Sequence, residues 1–156
     1  MIDVVVEDLT AATRDEVRAL ILDGLAEHWG AIDESLNPDL DDLLAYYRDG
    51  RTIVARDRRG EIVGTGTVVP RRRATAEVVR MSVRAEARGS GVGRRLVDEL
   101  VATARRWGCD TVVLETTSTW TDVVAFYRRC GFVVTHVEEG ALGSDTWFAL
   151  DLRPTT

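Results

Sequence analysis

The chain has 156 residues, of which 45% are apolar and 29% charged, enough to bury the core of one compact domain and little more. A net charge of −6 argues against a general nucleic-acid binder. The acidic start, residues 1–8, carries neither a basic leader nor a long apolar run, so the expectation is a cytoplasmic protein with no membrane association.

Cys109 and Cys130 lie far apart, and with only two His they are too few for a disulfide framework or a metal site. All 20 cationic residues are Arg, as a GC-rich genome would give, so the chain has no lysine amine to be acylated.

Residues 2–6 are apolar enough for a first strand. Thr10 stands where it would cap a helix over 13–27, in which Val17, Leu20, Ile21 and Leu25 recur at helical spacing, and Gly30 is the expected stop. Asn37-Pro38 forces a break, after which Pro38 suits the first turn of a second helix over 39–47, ended by Gly50. Strands over 52–56 and 62–69 flank a turn from Asp57 to Gly60. Pro70 and the run Arg71-Arg72-Arg73 read as a solvated connector, and 77–83 is apolar enough for a central strand.

Beyond it, Val92, Leu96, Val97, Leu100, Val101 and Ala104 form one apolar face of a helix ending at Gly108. A buried-type strand follows over 111–115, then a short helix over 121–129 with Gly131 just past its end. Stretches 132–137 and 146–152 close the chain as an antiparallel pair separated by Gly140 and Gly143. The order is βααβββαβαββ. Strand 77–83, its crossover helix and strand 111–115 imply a parallel pair inside an otherwise antiparallel sheet, a mixed α/β (α+β) fold. No repeat or linker interrupts it, so residues 1–156 are expected to form a single domain.

The stretch Arg88-Gly89-Ser90-Gly91-Val92-Gly93-Arg94 joins the central strand to the crossover helix. Its glycines leave the backbone open to a ligand and permit positive φ. The unpaired N–H groups and positive dipole end of the helix point at the turn, a seat for phosphate or pyrophosphate. There is no Gly-Lys-Ser/Thr, which excludes a P-loop. A dinucleotide-binding turn follows its strand at once, whereas five residues separate Val83 from Gly89.

Arg88-x-x-Gly91-x-Gly93 resembles the Q/R-x-x-G-x-G/A acetyl-CoA motif of the GNAT superfamily of N-acetyltransferases. Val79-Arg80-Met81-Ser82-Val83 looks like the strand before that motif, and Leu114-Glu115 like the end of the strand after the crossover helix. Ala125-Phe126-Tyr127-Arg128-Arg129-Cys130-Gly131-Phe132 is similar to the family's tyrosine helix followed by Gly-Phe. The similarity is specific over 76–133.

The resemblance implies a GNAT fold, with a mostly antiparallel mixed sheet and a central, splayed parallel pair. It also implies acetyl-CoA as cofactor. The backbone of Gly89, Ser90, Gly91, Val92, Gly93 and Arg94 would hold the CoA pyrophosphate, with Arg88, Arg94 or Arg95 as countercharge. Met81, Ser82 and Val83 would pair with the pantetheine arm like an added strand.

By the same resemblance Tyr127 would be the general acid. The base would be Glu115, or alternatively Glu77, a carboxylate of raised pKa that takes the ammonium proton of the acceptor. One departure stands out. Many members carry Asn seven residues before the tyrosine, where this chain has Trp120, so that contact falls to Thr121 or Asp122 or is lost.

In the family the first two helices and their loop shape the acceptor pocket. Here they hold His28, Trp29, Asp33, Glu34, Asp39, Asp41, Asp42, Tyr46 and Tyr47. Two readings stand: an acidic, aromatic-rimmed pocket for a cationic amine, or a solvated helix start that favours acids anyway. The expected activity is acetyl transfer to a primary amine by direct attack in a ternary complex, since no cysteine occupies the position of a covalent carrier. The acceptor is left open among small-molecule amines, amino-acid analogues and peptide or protein N-termini, and a homodimer is left open too. The alternatives are a non-catalytic acyl-CoA-binding module or sensor, and an acyltransferase for longer chains, decided by the room beyond Met81.

Overall fold

The computed structural model describes residues 3–30, 36–141 and 143–154. The first elements are β1 (Val5–Asp8), α1 (Arg14–Trp29), a 3-10 turn (Pro38–Asp41) and α2 (Leu43–Tyr46). Strands β2 (Arg51–Arg56), β3 (Ile62–Pro70) and β4 (Thr75–Val83) follow, then a 3-10 turn (Ala85–Ala87) and α3 (Val92–Arg106). The chain ends with β5 (Thr111–Thr117), α4 (Thr121–Arg129), β6 (Val133–Gly140) and β7 (Gly143–Asp151). One sheet runs β1-β2-β3-β4-β5-β7-β6, and β4–β5 is its parallel pair among the described residues.

Three local expectations shift. Among the described residues the first strand begins at Val5, and residue 2 of the expected strand lies outside them. Thr10 does not cap α1: its N–H donates to Thr13 Oγ1 at 3.1 Å, and the helix starts after Thr13. The second helix is split, because Asp42 takes an extended conformation (φ −152°, ψ 93°) and its carboxylate accepts the Ala45 N–H at 3.2 Å. Aspartate competes with helix continuation in this way and starts a new N-terminus instead.

The sheet separates two cores. Leu96, Leu100 and Ala104 of α3 pack with Ile53, Val68 and Val112 on one face, while Val17, Leu20 and Ile21 of α1 pack with Val54 and Ile62 on the other. Ile53 and Val54 fall in opposite cores, as the two-residue period of a strand requires. Each fully buried Leu or Ile contributes about 1.5–3 kcal/mol, so the α3 face alone anchors the crossover firmly.

The centre of the sheet opens at one end. Pairing of β4 with β5 is confined to Thr75↔Thr111, Ala76↔Val112 and Glu77↔Val113, although both strands run on. On the other side of β4, Thr67 pairs with Val79 and Thr65 with Ser82, so Arg80 and Met81 share one partner position, a β-bulge. Arg80 sits there at φ 54°. The extra residue resets the alternation: Ala76 and Val78 face the α3 core before the bulge, and Met81 and Val83 face it after.

Candidate active site

A cleft of about 680 Å³ occupies the gap where β4 and β5 part. It is walled by Ile21, Gly24, Leu25 and His28 of α1, by residues 78–83, by the turn and first residues of α3, and by residues 115–117. Trp120, Asp122, Val123, Phe126, Tyr127 and Arg129 close it from the α4 side, with Asp145 from β7. Ten residues singled out in the sequence line this one cavity: Met81, Ser82, Val83, Arg88, Gly89, Gly91, Gly93, Arg94, Glu115 and Tyr127.

Three others do not line it. The Ser90 hydroxyl turns back onto the Ala87 carbonyl, Val92 is in the core at 1% exposure, and Glu77 is paired with Arg71 at 2.9 Å. Sequence spacing missed Asp145, which reaches the cleft from a strand late in the chain and carries no motif.

The 3-10 turn fills the connector between β4 and the glycines. Gly91 (φ 97°) precedes α3 with no side chain capping the helix, so the first N–H groups of α3 are left for a ligand. Gly93 serves a different end. A Cβ there would stand 3.1 Å from Phe126 Cζ, so its missing side chain lets the α4 ring lie against α3. The two cations of the turn are already oriented. Arg88 Nη1 is 2.6 Å from Glu27 Oε2 of α1, and Arg94 donates from Nη1 to the Arg129 carbonyl at 3.1 Å.

Tyr127 is 6% exposed, with its ring centroid 5.1 Å from Phe126, 5.9 Å from Phe148 and 6.0 Å from Phe132. Its hydroxyl makes no hydrogen bond among the described residues. Burial first, then the neighbouring Cys130, pushes the phenol above its ordinary value, so it keeps its proton at neutral pH. Glu115 is shifted the same way. Partial burial is the main cause, and the charges of Asp145, Glu77 and Glu138 add to it.

His28 and Trp120 meet over the cleft with ring centroids 4.0 Å apart, and Trp29 stands 5.6 Å from Trp120. Trp120 thus takes the place of a cofactor contact as an aromatic packing post at the start of α4, while Asp122 lines the cleft beside it. Of the two readings of the helix region, the acidic pocket is not built by the acids described there. Asp39 is 4% exposed and locked to Arg80, Asp42 caps α2 and lies 3.3 Å from Arg14, and Asp33 and Glu34 fall outside the described residues. The acids that do face the cleft are Glu115, Asp122 and Asp145.

The strand edge left open on β4, the uncapped helix start and a cleft joining the two fit a long ligand with an anionic end. Together they are the geometry that the resemblance implies for a CoA-dependent acyltransferase. Residues 16–132 match the model of the acetyltransferase (GNAT) family. Glucosamine 6-phosphate N-acetyltransferase 1 of Oryza sativa subsp. japonica is 32% identical over 115 residues, covering 69% of this chain and 68% of that protein. The IAA acetyltransferase of Azospirillum brasilense is 39% identical over 85 residues, which span only 54% of this chain and 55% of its own length.

In fold, the chain is similar to a GNAT-family acetyltransferase of Staphylococcus aureus Mu50 (TM-score 0.86, 19% identity, 97% of this chain and 100% of the other). It is also similar to a Bacillus subtilis acetyltransferase in complex with CoA (TM-score 0.78, 20% identity, 97% and 100%). The chain belongs to the GNAT acetyltransferase family, and acetyl-CoA is its acyl donor. No helix among the described residues is long and apolar enough to cross a membrane.

Proposed function

We propose that the chain acetylates a primary amine by direct attack in a ternary complex, with Glu115 as general base and Tyr127 as general acid. One observation carries this: the single cleft holds the glycine turn, the free edge of β4, Glu115 and Tyr127. In this reading the N–H groups of Gly89 and of residues 91–94 seat the pyrophosphate, while the Ser90 N–H is turned to the Ala87 carbonyl. Arg88 and Arg94 supply countercharge, and the main chain of residues 81–83 pairs with the pantetheine arm. When bound, acetyl-CoA supplies the acetyl group as an activated thioester.

Glu115, its proton affinity raised by burial and by Asp145, takes a proton from the acceptor ammonium. Tyr127 holds a proton at Oη for the departing sulfur and is restored by the second proton that the nitrogen loses as the amide forms, while Glu115 passes its own proton to solvent. His28, Trp120 and α1 wall the reacting end. Positioning of the amine supplies much of the rate. Glu77, engaged by Arg71, has no part in this scheme. Residues 1–156 form one domain in this proposal, supported by a single sheet running through the described residues and a family match over 16–132. Its place would be the cytoplasm.

A CoA-release assay over small-molecule amines, amino-acid analogues, peptide N-termini and amino-sugar phosphates tests the reading. The last class is included because one relative is named for glucosamine 6-phosphate. Amine-dependent release in one class is the expected result. If CoA binds but no amine accelerates its release, the chain is a binding module.

A further inference from the structure

The residue at the point where the sheet opens is an arginine in a conformation that disfavours it. Arg80 holds φ 54° inside a strand, a region that L-residues with a Cβ rarely occupy. The cost is roughly an order of magnitude in an equilibrium constant, and it persists only where surrounding contacts over-determine it.

Those contacts are present. Arg80 donates from Nε to Asp39 Oδ2 at 2.7 Å, and from Nη2 to Asp39 Oδ1 at 2.7 Å and to Asn37 Oδ1 at 2.9 Å. Tyr47 Oη donates to the same Asp39 carboxylate at 2.6 Å. Asp39 is 4% exposed. Burial alone would raise its pKa, but Arg80 and Tyr47 hold it below the ordinary carboxylate range, so the pair stays ionised through neutral pH. A bidentate guanidinium–carboxylate pair also fixes direction as well as distance.

The pair joins two walls of the molecule. Asp39 and Tyr47 belong to the segment from Pro38 to Tyr47, whereas Arg80 lies on β4 and lines the cleft. The bulge at Arg80 lets Met81 and Val83 face the α3 core while the β4 edge stays clear of β5. Without the extra residue, every side chain from Met81 onward would change faces.

We propose that the Arg80–Asp39 clamp, buttressed by Tyr47, holds the β4 bulge and so sets the slot that receives the pantetheine arm. Arg80 is then a positioning residue: it acts through the backbone of Met81, Ser82 and Val83. This rests on the reading above that the arm pairs with that edge.

The test compares two ligands by calorimetry: CoA, and adenosine bisphosphate, which carries the nucleotide end but no arm. Three proteins are measured, the wild type, Arg80→Met and Arg80→Gly. Arg80→Met is expected to weaken CoA about tenfold while adenosine bisphosphate changes by less than about twofold. Arg80→Gly also loses the clamp, but glycine adopts positive φ without cost, so it is expected to recover most of the CoA affinity.

Equal loss for both ligands would mean general destabilisation and would overturn the clamp. So would a glycine variant as weak as methionine, or CoA affinity unchanged with only the acceptor KM raised. Failure of the underlying reading shows elsewhere, in the wild type: if CoA binds there no more tightly than adenosine bisphosphate, the arm has no slot on β4, and the clamp falls with it.

Discussion

Tyr127→Phe removes one hydroxyl and nothing else. The ring stays at 6% exposure, and its contacts with Phe126, Phe132 and Phe148 involve no oxygen. No hydrogen bond among the described residues is lost, so folding stability should change by less than about 0.5 kcal/mol, or about 2 °C in Tm. The catalytic cost is set by a different quantity. A positioned proton donor contributes about 10²–10⁴-fold, or about 3–5 kcal/mol of transition-state stabilisation.

The expected result is therefore a fall in kcat of at least about a hundredfold, with CoA affinity within about twofold of wild type and Tm unmoved. Because burial raises the phenol pKa, the wild-type alkaline limb should lie above the ordinary tyrosine range, and the variant should lack it. Steady-state CoA release, calorimetric CoA binding and a thermal melt on the same preparation read all three. A kcat within about twofold of wild type refutes the proton-donor role. A loss matched by equally weakened CoA binding shows that the hydroxyl serves binding instead.

Gly91→Glu should abolish the rise in Tm that acetyl-CoA gives the wild type, by placing a negative charge on the phosphate seat. Its φ of 97° adds a strain of about 1 kcal/mol, so Gly89→Ala (φ 76°, nothing within 4 Å) is the control: strained but still binding. Glu115→Gln should slow the reaction near neutral pH, with partial recovery as rising pH deprotonates the free amine; an unaltered pH–rate profile removes Glu115 as base. The same variant should raise Tm at neutral pH. A carboxyl whose folded pKa is raised stabilises the fold only below its ordinary value, and that contribution is lost as pH rises through the folded value. Gly93→Ala should lower stability in urea by about 1–3 kcal/mol through the 3.1 Å approach to Phe126; unchanged stability would mean that the rings part freely.

The regular elements were readable because their periods are local. The α3 face from Val92 to Ala104 and helix 121–129 needed no tertiary information to be found. What stayed hidden was decided by partners distant in sequence. Asp39 reads as one of several solvated acids, yet it is buried because Arg80, 41 residues on, comes to it. The bulge is invisible for a related reason: Glu77-Val78-Val79-Arg80-Met81 reads as a continuous strand, and nothing in it announces an extra residue. Gly93 shows a subtler limit. The motif explains a glycine there by ligand approach, whereas the fold uses the same vacancy for Phe126.

These placements give the cleft a direction. Arg88 and Arg94 stand at the glycine turn, held by Glu27 and by Asp98 and the Arg129 carbonyl respectively, while Glu115 and Asp145 stand where β5 meets β7. Among the described residues no cation pairs with either of those two acids. One end of the cleft therefore favours phosphate and the other an ammonium group, and the lowered dielectric between the walls strengthens both preferences. The order of charges has a chemical consequence. An amine drawn to Glu115 and Asp145 arrives protonated and cannot attack. The like charges that raise the proton affinity of Glu115 are then what lets it take that proton. In the proposed scheme Asp145 serves the reaction twice, attracting the acceptor and making its neighbour a stronger base, which a spacing motif centred on Glu115 alone would not reveal.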